Sequence, residues 1–499
     1  MFEIVEQAVK KVIPEAKPVS KGEKEKGLFV DFLIRPLYKE DIEKIQEILN
    51  QTSEKPILII AHSSAFSREL NKATQRIYFK VFESEQEKEE FIKQLEEARK
   101  RDHRYLGELM DVFHVEEEVI GSGLPLIHFN GMIIRNELIK FMREVNNKLG
   151  FKEVFTPHLS KTVLWKISGH YTKYRDKMFV FEMDGDEWGL KPMNCPMHLM
   201  IFKSKPRSYR DMPFKFAEFA TVYRKELSGE LHGLARVWSL TQDDHHLLCR
   251  PDQLKEELKY IIEAALEVYK TFGFDITINL STRPEQYIGS DEIWELSEKA
   301  LKEVLDEMGV NYVTKEGEGA FYGPKIDFDA KDAMGRYWQL ATIQVDFNLP
   351  ERFELSYKDK DGKEKRPVMI HFAILGSLER FTALLLEHFA GKLPTWVSPV
   401  QVKILPVSEK FVEYADKVFE ELKKNNIRVE IDVDGTVQYR VRKAEIEKIP
   451  YIIVVGQKEE ENETVTLRYH GKTKEVKLAE FIEKLKEEIT SRKLTSIFF

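Results

Sequence analysis

The pattern of apolar and polar residues divides the chain into segments of different character. In residues 1–83, a short amphipathic start precedes the apolar runs GLFVDFLI and KPILIIA, which is typical of a small α/β unit. From Ser84, apolar residues recur at helical spacing, and Ser84 with Glu87 forms a capping signal. This pattern predicts a linker helix in residues 84–118, with a polar face rich in Lys, Arg and Glu.

Two larger segments follow, separated by a stretch that favours a break between domains. Residues 119–398 are richer in aromatic residues, glycines and strand-like runs than the part before them. The stretch GKLPTWVSPV (391–400) then combines two prolines with a glycine. In residues 399–499, apolar strands such as YIIVVG alternate with amphipathic helices, so we expect a compact α/β domain.

The stretch SLTQDDHHLLCR (239–250) places two carboxylates and two histidines inside an apolar run. Its length and flanking leucines predict a buried strand. Since successive strand side chains point to opposite faces, Gln242, Asp244 and His246 share one face. Asp243 and His245 point the other way. On this stretch alone, a functional face and an ordinary polar network in a sheet are equally good interpretations.

The composition limits the class of protein. The chain has 499 residues, 42% hydrophobic and 32% charged, which is typical of a globular protein of about three domains. Its apolar runs are too short to cross a membrane, and its start lacks the pattern of a secretion signal. With only Cys195 and Cys249, a disulfide scaffold is excluded and a cytoplasmic location is expected. The net charge of −8 gives no global sign of nucleic-acid binding, so such a surface would be local.

Two distant residues are candidate partners for His246. Cys195 lies in LKPMNCPMH and His371 in VMIHFAILGS, and a Cys with two His residues is a good ligand set for zinc. Three protein ligands would leave one position open for a substrate. However, the spacing fits no compact zinc motif, and a free cysteine is more often a buried apolar residue. From the residues alone, both interpretations stay open.

Several longer motifs resemble those of class II aminoacyl-tRNA synthetases. GFKEVFTPHL (150–159) resembles the first signature motif, with Pro157, and TVYRKELSGELHGLARVWSLTQDDHH resembles the second. GSLERFTALLLEHF (376–389) resembles the third, with Arg380. The combination with KPMNCP, FYGPKIDF and HFAILGSLERF is similar to threonyl-tRNA synthetases, and the resemblance is nearly continuous from residue 84 onward.

The resemblance implies an α+β fold and a zinc-dependent site for threonine. The fold would have a class II catalytic core on an antiparallel sheet, a small N-terminal α/β remnant and a C-terminal α/β anticodon-binding domain. In that family a Cys and two His residues bind one zinc ion, here Cys195, His246 and His371. The threonine amine and hydroxyl complete the coordination, and Asp244 accepts the hydroxyl proton. The residues expected to bind threonine are Met193, Gln242, Asp244, Tyr322 and Ser377.

The resemblance also implies an ATP site, with Mg²⁺ accompanying the nucleotide. Arg224 would bind the α-phosphate and the threonine carboxylate, Arg236 the γ-phosphate and Arg380 the α- and γ-phosphates. Fixed guanidinium groups stabilise the charge of in-line phosphoryl transfer without reorganising. The residues expected to bind ATP are Arg224, Glu226, Arg236, Leu240, Gln339, Gln344 and Arg380. The residues expected to be catalytic are Arg224, Arg380, Lys325 and His170, the last in transfer to tRNA.

Two positions depart from the family pattern. The second motif commonly reads Arg-Asn-Glu, but here Lys225 replaces the Asn. The residue that stacks on adenine is usually Phe, but here it is Leu240, which still covers a ring by dispersion. In the C-terminal domain, Glu459 and Arg468 match positions that contact anticodon bases, although Glu459 also fits a solvated acidic loop.

The N-terminal segment faintly resembles the two ends of the family's editing domain with the middle deleted. That domain uses a His-x-x-x-His pair with a later Cys and His, yet the histidines before residue 119 are His62, His103 and His114. No cysteine precedes Cys195. We therefore expect a threonine–tRNA ligase without editing in the same chain, acting on tRNA for threonine, ATP and L-threonine. A homodimer, a separate trans-editing factor and no membrane association complete these expectations.

Two other interpretations remain. A prolyl-tRNA synthetase would share the three motifs and the C-terminal domain, but the set of Cys195, His246 and His371 argues against it. A non-catalytic synthetase-like protein that binds tRNA would be expected to lose motif arginines or zinc ligands, and this sequence retains all of them.

Overall fold

The computed structural model describes residues 1–24, 27–67, 72–332 and 335–499. These residues form two compact units, Met1–Lys100 and Arg101–Phe499. Residues 25, 26 and 71, which belong to the segments that resemble the ends of an editing domain, lie outside the described part. No helix among the described residues has the length and apolar character needed to cross a membrane.

The N-terminal unit is a four-stranded antiparallel sheet with helices, which agrees with the small α/β unit expected from the sequence. The strand order is β1-β2-β4-β3, and one apolar core, with Val9, Val30 and Ile45 fully buried, joins the sheet to α1 and α2. Its elements, with the following helix, are α1 Phe2–Val12, β1 Lys17–Lys24, β2 Gly27–Leu33, α2 Lys39–Thr52, β3 Ile57–Ser67, β4 Lys72–Val81 and α3 Glu85–Arg101.

The predicted linker helix is present but is broken. The backbone N–H of Glu87 donates to Ser84 Oγ at 3.2 Å, which confirms the capping signal at its start. The helix ends at Arg101, and a second helix begins at His103. Asp102 caps this second helix, because its carboxylate accepts the N–H of Arg104 at 2.8 Å. A side chain that favours N-cap positions therefore interrupts an otherwise continuous helical pattern.

The part of the chain from residue 103 to residue 388 is built on an eight-stranded sheet with the order β14-β13-β15-β16-β19-β12-β11-β7. The sheet is antiparallel except for the two pairs at its edges, which confirms the antiparallel core expected from the resemblance. The elements of this part are α4 His103–Leu109, β5 Phe113–His114, β6 Leu126–Ile127, α5 Phe129–Leu149, β7 Lys152–Glu153, β8 Leu159–Lys161, α6 Val163–Ser168, α7 His170–Tyr174, β9 Val180–Met183, β10 Asp186–Leu190, α8 Cys195–Lys203, β11 Phe214–Tyr223, β12 Ser239–Cys249, α9 Leu254–Thr271, β13 Asp275–Ser281, α10 Asp291–Met308, β14 Tyr312–Lys315, β15 Lys325–Lys331, β16 Tyr337–Asp346, α11 Asn348–Arg352, β17 Tyr357–Lys358, β18 Glu364–Lys365, β19 Val368–Ala373 and α12 Leu378–His388.

The C-terminal part has its own core and a mixed five-stranded sheet of order β21-β20-β22-β23-β24. Arg428 of this part donates to Glu137 of α5 at 2.7 Å. The boundaries 84, 119 and 399 between domains stay predictions, because the described residues divide compactly only near residue 100. The elements are β20 Val402–Pro406, α13 Val412–Lys424, β21 Val429–Ile431, α14 Val437–Ile446, β22 Tyr451–Val455, α15 Gln457–Asn462, β23 Thr464–Tyr469, β24 Lys472–Lys477 and α16 Leu478–Thr490.

Candidate active site

A pocket of about 500 Å³ opens on one face of the eight-stranded sheet. Its walls come from β12, β15, β16 and β19, from the start of α8 and from the loop before β15. Most of the residues predicted for zinc, threonine and ATP lie in these walls. They are Met193, Cys195, Arg224, Gln242, Asp244, His246, Tyr322, Lys325, Gln339, Gln344 and His371.

Strand β12 divides its polar side chains between two faces, as the alternation predicts. Gln242, Asp244 and His246 line the pocket. On the opposite face, one carboxylate oxygen of Asp243 accepts the backbone N–H groups of residues 374 and 375 at 3.2 and 3.1 Å. His245 Nε2 lies 2.7 Å from the Asn146 side-chain oxygen on α5. One strand therefore serves both the pocket and the packing behind it.

Cys195, His246 and His371 meet in the pocket although they are distant in sequence. One ligand atom from each lies within 4.8 Å of the others, and all three residues are buried. Cys195 is the first residue of α8, whereas His246 and His371 lie directly opposite each other in the β12–β19 register. The long-range pairing of two antiparallel strands therefore creates the cluster.

The surroundings of these three residues fit a zinc ion. His371 Nε2 lies 2.9 Å from an Asp346 carboxylate oxygen, and His246 Nδ1 lies 2.7 Å from His198 Nδ1. Each ligand histidine thus uses one ring nitrogen outside the cluster and keeps the other for a metal. Burial raises the pKa of the Cys195 thiol well above its ordinary value, and a bound divalent cation would reverse this effect. A thiolate with two imidazoles is a common zinc ligand set.

Asn194 is a pocket residue that the sequence analysis missed. Its side-chain nitrogen donates to an Asp244 carboxylate oxygen at 2.7 Å. Its side-chain oxygen is buried and has no hydrogen-bond partner among the described residues. Its position next to Cys195 in KPMNCP was the available signal. Asn194 therefore orients Asp244, the carboxylate that is expected to accept a hydrogen bond from the substrate hydroxyl.

The far wall of the pocket is organised by Asp327. Its carboxylate accepts hydrogen bonds from Gln339 at 2.7 Å and from Lys325. In the same wall, the Tyr322 hydroxyl donates to the Gln344 side-chain oxygen at 2.7 Å. Since no local pattern marks it, Asp327 could be found only from the fold.

Arg224 and Arg236 differ in how they are held. Arg224 lines the pocket and uses Nε to donate to the Pro192 carbonyl at 3.3 Å. Among the described residues, its two terminal nitrogens have no ion-pair partner. Arg236 instead donates to Glu226 at 3.2 Å and also faces Glu230. Two residues predicted to bind ATP thus bind each other.

Glu226 is held as a carboxylate. Desolvation alone would raise its pKa, but the Lys177 ammonium at 3.2 Å and Arg236 outweigh this effect and lower the pKa. Glu226 lies outside the pocket walls, as do Leu240, Ser377 and Arg380.

Ser377 and Arg380 lie at the start of α12. Ser377 caps this helix by accepting the backbone N–H of Arg380 at 3.0 Å, and its backbone bridges to Gln242 on β12. Gly376 has φ +72°, and a Cβ there would lie 3.0 Å from the Leu340 carbonyl, so the turn requires glycine. Desolvation and the nearby charge of Arg236 lower the pKa of Arg380. An anion between the two guanidinium groups would relieve their repulsion.

His170 is buried behind the pocket. Its Nδ1 lies 2.8 Å from Ser168 Oγ, and its ring contacts that of Tyr174, which lines the pocket. Burial, followed by the charge of His371, lowers the pKa of His170 to about 4. The side chain is therefore neutral near pH 7.

A second cluster of Asp102, His103 and Glu387 has a structural explanation. His103 Nδ1 lies 2.6 Å from Glu387, and its Nε2 accepts the backbone N–H of Leu234 at 3.1 Å. Because both ring nitrogens are engaged, this cluster joins α4 to the loop of the second motif and to α12 rather than offering metal ligands.

The two residues predicted to contact the anticodon lie in the C-terminal part. Both carboxylate oxygens of Glu459 are engaged, one by the Thr466 hydroxyl at 2.7 Å and one by the backbone N–H of Gly456 at 2.9 Å. Arg468 donates to Glu445 at 3.4 Å. Since Thr466 and Arg468 are two apart on β23, their side chains lie on one face of the sheet.

Comparison with known proteins finds matches to both the core and the C-terminal part of the chain. Residues 178–389 match the class II core domain of the G, H, P, S and T tRNA synthetases, and residues 401–488 match an anticodon-binding domain. The threonine–tRNA ligase catalytic subunit of Saccharolobus islandicus is 54% identical over 428 residues, which is 85% of this chain and 78% of that protein. The chain belongs to the threonyl-tRNA synthetase family.

Other members of the family are similar over most of the chain. The catalytic subunit of Metallosphaera sedula is 54% identical, over 83% of this chain and 77% of that protein. The structure of the RNA-binding domain of threonyl-tRNA synthetase from Cryptosporidium parvum aligns with a TM-score of 0.74 and 40% identity, over 80% of this chain and 100% of that one. The family's class II core makes this chain an aminoacyl-tRNA synthetase, and the interpretation as a non-catalytic protein loses its basis.

Proposed function

We propose that this chain activates L-threonine with ATP and transfers the threonyl group to the 3′ end of tRNA for threonine. One observation supports this most directly. The Cys195, His246 and His371 cluster shares a single pocket with Asp244 and with Arg224, whose guanidinium has no ion-pair partner in the described part of the chain. A cavity that combines metal-ligating side chains with a cationic side chain for phosphate suits a reaction that joins an amino acid to a nucleotide.

Cys195, His246 and His371 would hold one zinc ion. When bound, zinc supplies an open Lewis-acid position for the substrate amine and hydroxyl. Asp244, oriented by Asn194, accepts the substrate hydroxyl hydrogen bond. The other residues proposed to bind threonine are Met193, Gln242, Tyr322 and Ser377.

In activation, a threonine carboxylate oxygen attacks the α-phosphorus of ATP, the bond to the bridging oxygen breaks, and pyrophosphate leaves. Arg224 binds the α-phosphate and the carboxylate, with Lys325 on the other side of the pocket. Arg236 turns from Glu226 to the γ-phosphate, which frees Glu226 for the adenine amine, while Arg380 faces the phosphates. Mg²⁺ accompanies ATP, and Leu240, Gln339 and Gln344 complete the nucleotide site.

Pyrophosphate exchange with different amino acids tests this function. Exchange should be fast with threonine, and about 10–200-fold less efficient with serine, which lacks one methyl group. Valine and proline should fall at least about 10⁴-fold below threonine, because they leave Asp244 and the metal position unpaired. Exchange that is faster with proline than with threonine would contradict the proposal.

The second step uses the tRNA. The ribose hydroxyl of the terminal adenosine attacks the adenylate carbonyl, and His170 is proposed to assist this step. Its ring is neutral near pH 7 and carries a lone pair that can accept a hydrogen bond from the attacking hydroxyl, although the lowered pKa makes it a weak base. Glu459 and Arg468 are proposed to contact anticodon bases, and the cytoplasm is the proposed location.

A homodimer is proposed from two exposed aromatic side chains, one on the helix before the first motif and one within the motif. Phe129 at the start of α5 is 88% exposed, and Phe155 after β7 is 78% exposed. Strand β7 lies at the edge of the eight-stranded sheet. Large exposed aromatic residues beside a sheet edge are typical of an interface between subunits.

Light scattering at micromolar concentration should therefore give twice the 58.6 kDa chain mass. Phe155→Asp should shift the mass toward that of one chain, because it places a charge in the interface. Leu296→Asp, at an apolar residue that is 55% exposed on α10, is the matched control and should leave the dimer intact. A wild-type protein with the mass of one chain would refute this proposal.

Editing in this chain is proposed to be absent. The buried carboxylates of the N-terminal unit are already paired, Asp31 with Arg76 at 2.6 Å and Asp41 with Arg35 at 2.6 Å. The one histidine of that unit, His62, is exposed on β3. A separate trans-editing factor would then remove serine from tRNA.

Incubation of the purified chain with seryl-tRNA for threonine should give hydrolysis no faster than without enzyme. The reason is that the N-terminal unit offers no His pair with a cysteine for hydrolysis. Threonyl-tRNA, measured in parallel, serves as the control for spontaneous loss. Seryl-tRNA hydrolysis clearly above the enzyme-free rate would show that an editing site exists.

A further inference from the structure

Behind His246, a chain of hydrogen-bonded side chains runs away from the pocket into the core. His246 Nδ1 lies 2.7 Å from His198 Nδ1, and His198 Nε2 lies 2.9 Å from a Glu218 carboxylate oxygen. All three residues are buried, His198 completely. Glu218 is in turn held by Thr156, whose backbone N–H donates at 2.7 Å and whose hydroxyl donates at 2.9 Å.

The direction of each hydrogen bond in this series follows from the charge state of Glu218, the residue at its far end. An ionised carboxylate can only accept, so His198 Nε2 must donate to Glu218. A neutral His198 then has a lone pair on Nδ1, which accepts a hydrogen bond from His246 Nδ1–H. This leaves the lone pair of His246 on Nε2, the nitrogen that lies 3.9 Å from Asp244 in the pocket.

Two observations support an ionised Glu218. Desolvation would raise its pKa, but the hydrogen bonds from His198 and Thr156 outweigh this effect and lower the pKa. The Lys191 ammonium also lies 3.6 Å from the Glu218 carboxylate and is itself buried. Glu218, at the far end of the hydrogen-bonded series, is therefore held by several donors.

We propose that Glu218 and His198 are positioning residues that fix the tautomer and the ring orientation of His246 for metal binding. This inference rests on the zinc site proposed above. His371 meets a carboxylate directly, through Asp346, whereas His246 reaches its carboxylate through an intervening imidazole. Partners of this kind orient metal-bound histidines and affect metal affinity by about 10–100-fold.

The test measures the zinc affinity of the full-length chain by competition with a chelator. In the wild type, the His198 ring is stacked on Phe216 with 5.2 Å between the ring centroids. His198→Phe keeps a ring in this position but removes both hydrogen bonds. We expect its zinc affinity to fall about 10–100-fold. His198→Asn retains an acceptor near the Nδ1 position and should recover part of the loss. Glu218→Gln, which removes the charge and replaces one acceptor oxygen with a donor NH2 group, should weaken zinc binding in the same direction.

His245→Phe is the matched control. His245 is a buried histidine on the same strand, stacked on Phe372 at 4.5 Å, but it faces away from the cluster. Its substitution should leave zinc affinity within about twofold of wild type. With zinc saturating, His198→Phe should raise KM for threonine and leave KM for ATP unchanged.

The outcomes distinguish the proposed zinc site from the proposed positioning role of His198 and Glu218. Zinc binding by wild type with unchanged affinity in folded His198→Phe and Glu218→Gln would overturn the positioning role alone. An equal loss in His245→Phe would also overturn it, because the effect would then be general to buried polar groups. A wild-type chain that binds no zinc would overturn both the zinc site and the positioning role.

Discussion

Replacing Cys195 with alanine should abolish the proposed zinc binding and lower threonine-dependent pyrophosphate exchange by about three orders of magnitude. The thiolate is one of the three protein ligands proposed for zinc, and two imidazoles alone would hold the metal weakly. Without the metal, the substrate amine and hydroxyl lose their shared contact, which is worth several kcal/mol. Elemental analysis of the purified variant, together with exchange kinetics, measures both effects.

Cys249→Ala provides the matched control. Cys249 is the other cysteine of the chain and is also buried, but it packs in the core at the end of β12, outside the pocket walls. Burial raises the pKa of its thiol, which is typical of an inert packing residue. Its substitution should keep zinc content and exchange near wild-type values. Unchanged zinc content in Cys195→Ala would refute the proposed ligand set.

How far the sequence could predict the site differs between its parts. The division of β12 into two faces follows from strand geometry alone, and Asp243 and His245 do face the core. The meeting of Cys195, His246 and His371 could be inferred only from the family resemblance. The register that places His246 opposite His371 depends on pairing between strands that are distant in sequence.

Other features could not be predicted because no local pattern marks them. His198 and Glu218 lie on α8 and β11 among apolar neighbours, where a polar side chain most often has a structural role. The pairing of Arg236 with Glu226 joins two residues that are ten apart in the second motif, and no local pattern indicates it. In contrast, the break of the linker helix had a signal, since Asp102 is a good N-cap residue before His103.

The second large effect is expected at the arginines of the second and third motifs. Arg224→Ala and Arg380→Ala should each lower kcat for threonine-dependent exchange by at least about 10²–10³-fold. Negative charge grows around the α-phosphorus as pyrophosphate leaves, and a preorganised guanidinium stabilises it without reorganisation. Arg224 suits this role because its terminal nitrogens have no ion-pair partner among the described residues, so they meet the substrate without first breaking a bond.

The two variants should differ in which substrate they affect. Arg224→Ala should raise KM for both threonine and ATP, because Arg224 is proposed to bind the carboxylate and the α-phosphate together. Arg380→Ala should raise KM for ATP only. Arg224→Lys should restore little activity, because an ammonium cannot form the paired hydrogen bonds of a guanidinium.

Arg250→Ala is the control for loss of an arginine near the same strand. Arg250 follows β12 directly, and its guanidinium is engaged by Asp252 at 3.0 Å and by the Tyr209 carbonyl at 3.2 Å. Its substitution should therefore leave exchange within a few-fold of wild type. Circular dichroism and thermal unfolding should show that all variants remain folded. Near-normal exchange in a folded Arg224→Ala would mean that another cation faces the α-phosphate, with Lys325 the other cationic residue named in the pocket walls.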